Sequence, residues 1–246
     1  MSLDFHAIIP ARHQSSRLPG KLMMELNGLT VLERVYRQVL KANPKSLTIA
    51  TDHEALFSLA KSFNAAVEMT KPTHQSGTDR IAEVVAKSEF QPDDIIVNVQ
   101  GDEPFIAPEL ITQVAETLAT SDAPMATLCW PIEDNTSRDN PNVVKVVRDQ
   151  HFNALYFSRS PIPANRDNPT DLSLHYRHIG LYAYRASFLL ELVQHPVCPL
   201  ESAEALEQLR ALWLGYPIKV ATACTKPLQD INTQEDLDLA KQLVTQ

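Results

Sequence analysis

Cysteine is scarce in this 246-residue chain: Cys129, Cys198 and Cys224 are its three, and they lie far apart. That spacing excludes a disulfide framework and a thiolate metal site, both of which need paired or clustered sulfurs, and leaves the thiols as small buried apolar groups. No apolar run approaches the roughly eighteen residues a membrane-spanning helix needs. The opening MSLDFHAIIPARH also lacks the basic start and long apolar stretch of a secretory leader, so a cytoplasmic protein without membrane association is expected. Basic residues are outnumbered, 22 Lys and Arg against 30 Asp and Glu, for a formal charge of -8. Phosphate backbones demand a broad basic face, so this balance argues against nucleic-acid binding. Any anion site must be local, because exposed charges are screened beyond about 8 Å. Glycine is rare as well, at six residues, so where each one falls carries information.

What is present is the composition of a globular protein, 44% hydrophobic and 21% charged. Strand-length apolar runs at 6–9, 46–51, 95–100 and 125–130 alternate with helical periodicity. In 31–42, Leu32, Val35, Tyr36, Val39 and Leu40 form one apolar stripe; Asp52 and Thr78 read as caps of the next helices, and Pro108 suits the first turn of another. Such alternation predicts a mostly parallel α/β sheet. The second half departs from this rhythm. Residues 143–149, 154–160 and 175–185 read as strands with no long helix among them, predicting an antiparallel excursion over roughly 140–185 that carries substrate contacts, within a single domain spanning 1–246. The proline-rich 161–172 is a loop, 200–214 a helix and 217–223 a strand, and Thr233 with Asp236 resembles a capping box.

In an open parallel sheet, ligands sit beyond the carboxyl ends of the strands. The stretch IIPARHQSSRLPGK leaves the first strand with Arg12, Arg17 and Lys21 in a loop that also holds Gly20. Such a loop can fold its cations around a polyphosphate, Arg through forked hydrogen bonds and Lys as a point charge; the competing reading is a solvated loop. Neither GxxxxGK[ST] nor GxGxxG is present. NVQGDEP leaves another interior strand with Asp102 and Glu103, and a carboxylate at that place suits Mg2+, although a turn Asp is the plainer alternative. HQSGTDR places a small-residue turn before a helix whose first N–H groups can accept a base edge or an anion, with Arg80 in reach of the same crevice; an ordinary capped helix start is the alternative. His175 and His178 are three apart on a strand, hence on opposite faces, and do not form a metal pair. His178 alone is either a hydrogen-bonding core residue or a substrate contact.

IIPAR, SSRLPGK, ATD at 50–52, HQSGTDR-AEV, IIVNVQGDEP, NPNVVKVV, ALYFSRSPIP, RHIGLYAYR and LEQLR together resemble, in order and spacing, the 3-deoxy-manno-octulosonate (Kdo) cytidylyltransferases, or CMP-Kdo synthetases. The resemblance runs along nearly the whole chain. It implies a Rossmann-like nucleotidyltransferase fold, a homodimer, and the reaction of CTP with Kdo to CMP-Kdo and pyrophosphate with Mg2+, a step toward lipopolysaccharide. By similarity, Arg12 and Lys21 hold the CTP phosphates, with Gln75, Ser76, Arg80 and Gln100 near the nucleotide, and Asp102 binds the metal. For the sugar acid the matching positions are Gln100, Arg159, Arg166, His178, Tyr182, Glu207 and Gln208. Lys21, Asp102 and Arg12 are the residues expected to carry catalysis.

Two departures from the family pattern stand out. Where the family has G-V-D-T, whose Asp is the second metal ligand, this chain has Asp230-Ile231-Asn232-Thr233. An amide oxygen brings no charge, so Asp230, on the same face of an extended segment, is expected to share the role with Asn232. Ser202-Ala203-Glu204 replaces the frequent His-Ile-Glu. Two other functions fit parts of the pattern: a cytidylyltransferase for a related octulosonic or nonulosonic acid, and a non-catalytic nucleotide sensor in which Asn232 marks lost metal binding.

Overall fold

The computed structural model describes residues 3–13, 18–228 and 230–243. Arg17, one of the three loop cations, lies outside them. The first strand, β1 (His6–Ala11), is buried along its whole length, with Ala7, Ile9 and Ala11 in one apolar cluster and Ile8 in another. A strand covered on both faces must be apolar throughout, which is why HAIIPA does not alternate. A short hairpin follows, β2 (Glu25–Leu26) and β3 (Leu29–Thr30), turned by Asn27 and Gly28 at φ 48° and 78°. Positive φ at both central residues is the signature of a tight hairpin turn.

Helix and strand then alternate: α1 (Val31–Lys41), β4 (Ser46–Thr51), α2 (Glu54–Ser62), β5 (Ala66–Met69), α3 (Gly77–Lys87), β6 (Ile95–Asn98), α4 (Pro108–Ala119) and β7 (Met125–Pro131). The excursion comprises α5 (Asn135–Asp139), β8 (Lys145–Arg148), β9 (Ala154–Ser158) and β10 (Tyr176–Arg185). The chain closes with α6 (Ala186–Leu192), α7 (Pro199–Glu204), α8 (Leu209–Trp213), β11 (Ile218–Thr222) and α9 (Gln234–Leu243).

The main sheet runs β11-β7-β10-β6-β1-β4-β5. Its pairs are parallel except at β10, which lies antiparallel between β6 and β7 and then continues outward to pair with β8, itself paired with β9. The expected mostly parallel α/β sheet with an antiparallel excursion is present, and β10 serves both parts. One cluster packs α1, α2, α4 and α9 against one face through Leu32, Leu56, Leu110 and Leu237; the other packs α3, α6 and α8 through Ile81, Leu189 and Leu209. Among the described residues, no helix is long and apolar enough to cross a membrane.

Several local expectations need correction. Asp52 does not cap α2: His53 does, through its side chain, and Asp52 turns to Arg80 instead. Thr78 does not cap α3 because Ser76 and Asp79 form a reciprocal box two residues earlier, freeing Thr78 to face the cleft. The helix expected over 200–214 breaks after Glu204, where Ala205 takes a left-handed φ of 50°, and restarts at Leu209. Leu40 is 46% exposed rather than part of the buried stripe. Cys129 and Cys198 are buried, whereas Cys224 is exposed. Pro108 does open α4, and Thr233 and Asp236 do bond reciprocally before α9.

Candidate active site

The carboxyl ends of β1 and β6 are drawn close together. A Cβ on Gly101 would approach the carbonyl of Pro10 to 3.1 Å, so a side chain there would press the loop after β6 away from β1 by a few tenths of an ångström. That loop delivers Asp102. Its backbone carbonyl accepts from Ile231 N at 2.9 Å, which fixes the 230–233 segment beside it. The Lys21 ammonium sits where the segments meet, donating to Asp102 Oδ2 at 2.5 Å, Ile231 O at 2.7 Å and Asn232 Oδ1 at 3.2 Å. Asp230 accepts from the Asn232 amide, so the two residues expected to share a role do touch.

Three carboxyl groups, those of Asp102, Glu103 and Asp230, gather at this floor together with the cations Lys21 and Arg177. Burial, Asp102 and Asp230 push the Glu103 carboxyl up to about 8, with only Arg177 opposing. Asp230 is raised by burial and by Asp102, against Asn232 and Lys21. The oxygens of Asp102 and Asn232 that already converge on the Lys21 ammonium are of the kind a hard divalent ion takes. Among the described residues, no group of three or more His, Cys, Asp or Glu is arranged so that it could hold a metal ion.

Beyond the floor opens a cleft of about 1250 Å³ between the sheet end and the excursion. Of the positions expected from sequence, Gln100, Asp102, Arg159, His178, Tyr182, Glu207, Gln208, Asp230 and Asn232 all line it. The His178 ring lies edge-on to Phe157, and its Nε2 is 3.1 Å from Thr127 Oγ1; burial lowers its pKa to about 3, so it is a neutral hydrogen-bonding group. Burial raises Tyr182 well above the usual phenol range. Glu207 is open to water across the cleft yet walled by protein behind, and this desolvation raises its pKa, opposed by a 2.7 Å hydrogen bond from Thr78 Oγ1 and by nearby Arg12. Arg159 spends its guanidinium on the backbone carbonyls of Glu204, Pro141 and Ala205, and so ties the excursion to the end of α7.

Five other expected positions lie outside that lining. Arg12 Nη2 is buried without a hydrogen-bond partner, and burial followed by neighbouring Arg80 lowers the guanidinium pKa. Glu207, Asp52 and Asp79 oppose that shift from nearby. Ser76 is committed to capping α3, while Gln75 is exposed and bonds Thr73 O. Arg80 does not reach the crevice: fully buried, it pairs with Asp52 at 2.6 Å and with Thr70. The Arg166 side chain is 97% exposed beside Asp167, outside the cleft.

Sequence reasoning gave no role to Asn98, Tyr184, Arg177 or Lys145. Asn98 had a signal, being a polar residue inside the apolar run IIVNVQ, and Lys145 likewise interrupts VVKVV. Lys145 is fully buried and donates to the carbonyls of Asn140 and Arg159 at 3.0 and 2.6 Å.

Known proteins resemble this chain along nearly its whole length. Residues 6–220 match the family model described as Cytidylyltransferase. The chain is 63% identical to the 3-deoxy-manno-octulosonate cytidylyltransferase of Legionella pneumophila strain Corby, over 98% of this chain and 97% of that one. It is 47% identical to the protein of that name from Vibrio cholerae serotype O1 strain M66-2, over 99% of each. A solved CMP:2-keto-3-deoxy-manno-octonic acid synthetase complexed with CTP superposes with a TM-score of 0.92 at 35% identity, covering 98% of both chains. A 4-diphosphocytidyl-2C-methyl-D-erythritol synthase, at 15% identity and a TM-score of 0.66, shares the fold.

Proposed function

From the premise that this chain belongs to the 3-deoxy-manno-octulosonate cytidylyltransferase family, we infer that it activates Kdo with CTP, giving CMP-Kdo and pyrophosphate for lipopolysaccharide synthesis. The observation that carries this reading is the 63% identity to a protein of that name, extending over 98% of the chain. A hydroxyl of the sugar acid attacks the α-phosphorus in line with departing pyrophosphate, so the protein chiefly positions reactants and neutralises phosphate charge. Arg12, with an unpaired buried nitrogen, and Lys21, at the cleft floor, are the cations we assign to the phosphates, with Gln75, Ser76 and Gln100 beside the nucleotide. Lys21 must then exchange Asp102 for phosphate oxygen when CTP enters. We assign Arg159, His178, Tyr182, Glu207 and Gln208, which line the cleft, to the sugar acid. Arg166, which lies outside the cleft, and Arg80, tied to Asp52, enter only if their loops rearrange.

We assign Mg2+ to Asp102, Asp230 and Asn232. When bound there, it supplies a Lewis acid that lowers the pKa of the attacking hydroxyl and offsets phosphate charge. Asp230→Ala is expected to change the Mg2+ dependence of the rate, read from initial velocities across a magnesium titration; an unaltered dependence removes Asp230 from the set. The reading carries with it a cytoplasmic location, where CTP is available.

Pyrophosphate release from CTP and Mg2+ with a panel of sugar acids tests the function. Release with Kdo is expected. Release only with another acid reassigns the substrate, and tight CTP binding without release makes the protein a sensor.

A further inference from the structure

The pairing of β7 with β10 slips once. Ile179 lies opposite Leu128 and Tyr182 opposite Thr127, so Gly180 and Leu181 have no partner on β7. Thr127, fully buried, fills the gap: its Oγ1 donates toward Ile179 O at 3.0 Å and Leu181 O at 2.8 Å, and lies 3.1 Å from His178 Nε2. Carbonyls only accept and a hydroxyl has one proton, so that proton belongs to the two carbonyls. Toward His178 the Oγ1 is therefore an acceptor, and Nε2 must carry the hydrogen between them. Burial keeps the ring neutral, and a neutral imidazole protonated on Nε2 has a bare lone pair on Nδ1.

His178 is half-buried and lines the cleft, whereas Thr127 does not. Among the described residues none hydrogen-bonds Nδ1, and Nδ1 is not one of the polar atoms buried without a partner. The ring thus gives one nitrogen to Thr127 and leaves the other accessible from the cleft. We propose that Thr127 is a positioning residue that holds His178 in the Nε2-protonated tautomer, so that Nδ1 accepts a hydrogen bond from a hydroxyl of the sugar acid and does not bind its carboxylate. An ionised carboxylate has no proton to give, whereas each hydroxyl has one. The opposite tautomer would present an N–H and suit the carboxylate, so Thr127 decides which part of the substrate His178 reads. The inference deepens the assignment of His178 to the sugar acid and rests on the cytidylyltransferase reading of the cleft.

Nitrogen NMR of isotope-labelled histidine rings tests the tautomer directly, with the His178 signals identified by their loss in His178→Gln. In the wild type the proton should sit on Nε2; a proton on Nδ1 overturns the proposal, even if no Thr127 variant folds. Thr127→Val removes the hydroxyl at nearly constant size and should release the ring from its single tautomer, while Thr127→Ser should keep it. A wild-type tautomer persisting in Thr127→Val would also overturn the proposal. Kinetics give a second readout. Thr127→Val should raise the KM for Kdo by about 10-fold, as loss of one hydrogen bond does. The KM for CTP should move by no more than about 2-fold, and Thr127→Ser should restore the wild-type pattern. Equal rises in both KM values would reduce Thr127 to a packing role. On monodeoxy analogues of Kdo, the wild type should lose roughly 100-fold or more in kcat/KM when one particular hydroxyl is removed, and that discrimination should shrink in Thr127→Val. Identical discrimination in the two enzymes would count against the contact. A wild-type enzyme inactive with every sugar acid, yet showing the expected tautomer, would instead refute the cytidylyltransferase reading and the sugar contact with it, leaving the Thr127–His178 geometry standing.

Discussion

Lys21 holds together three oxygens from separate segments, so removing its ammonium loosens the floor and deletes a phosphate partner at once. Lys21→Ala is expected to lower kcat by roughly 100- to 1,000-fold, as loss of one preorganised charge partner does. Steady-state kinetics with an unchanged kcat would remove Lys21 from catalysis. His178 supports a prediction about acid. Burial keeps it neutral in the fold down to about pH 3, whereas an unfolded histidine protonates near 6.5. The folded pKa is depressed, so below 6.5 the unfolded chain binds a proton that the fold refuses, and stability falls as pH falls through that window. Between pH 7 and 5 this contributes a loss of at most about 2 kcal/mol, the ring being partly in contact with cleft water. Urea unfolding of wild type and His178→Gln at both pH values measures it; an equal pH dependence in the two proteins would contradict the assignment.

Elements place these residues. The excursion is secured by Lys145, which ties the carbonyls of Asn140 and Arg159, while Arg159 clamps the end of α7. Lys145→Met keeps the chain length but strands two carbonyls, so it should cost about 2 kcal/mol of stability and raise KM for Kdo more than for CTP. Denaturant titration and paired kinetics read both effects, and a larger change in the CTP KM would separate Lys145 from the sugar side. Much of this layout was legible in sequence: the 3.6-residue stripe of α1, the apolar runs of β1, β4, β6 and β7, and the proline-rich loop all signal locally. The break between α7 and α8 was not, because apolar periodicity continues across it while Ala205 adopts a left-handed turn that nothing nearby demands. The 53 cap of α2 was missed because a histidine competes poorly with an aspartate in cap statistics, and only the Arg80 pairing takes Asp52 away.

At the scale of the molecule, a chain of charge -8 attracts a polyanion only through local cations facing a cleft, so CTP binding should depend on salt through Arg12 and Lys21 rather than through net charge. We also expect the homodimer usual in the family. In its favour, β9 is an edge strand whose Leu155 is 60% exposed, and Trp213 on α8 is 55% exposed. Unpaired strand edges and exposed large apolar groups mark association surfaces. Light scattering at micromolar concentration should give twice the chain mass, and Leu155→Asp should shift it toward the monomer; a wild-type monomer would refute the expectation.

The order of strands and helices, the glycine that lets two strand ends approach, and the residue types of a phosphate- and metal-handling site were determined by sequence, since each depends on local periodicity, backbone freedom or side-chain chemistry. Tertiary structure alone decided which charges meet. It set Arg80 on Asp52 instead of in the crevice, left Arg166 in solvent, seated Lys21 on Asp102, and turned Asn98 inward with one oxygen unpaired. Hydrogen bonds and ion pairs are made over a few ångströms between residues up to 211 positions apart, and only the packing of the sheet against its excursion brings such partners within that range.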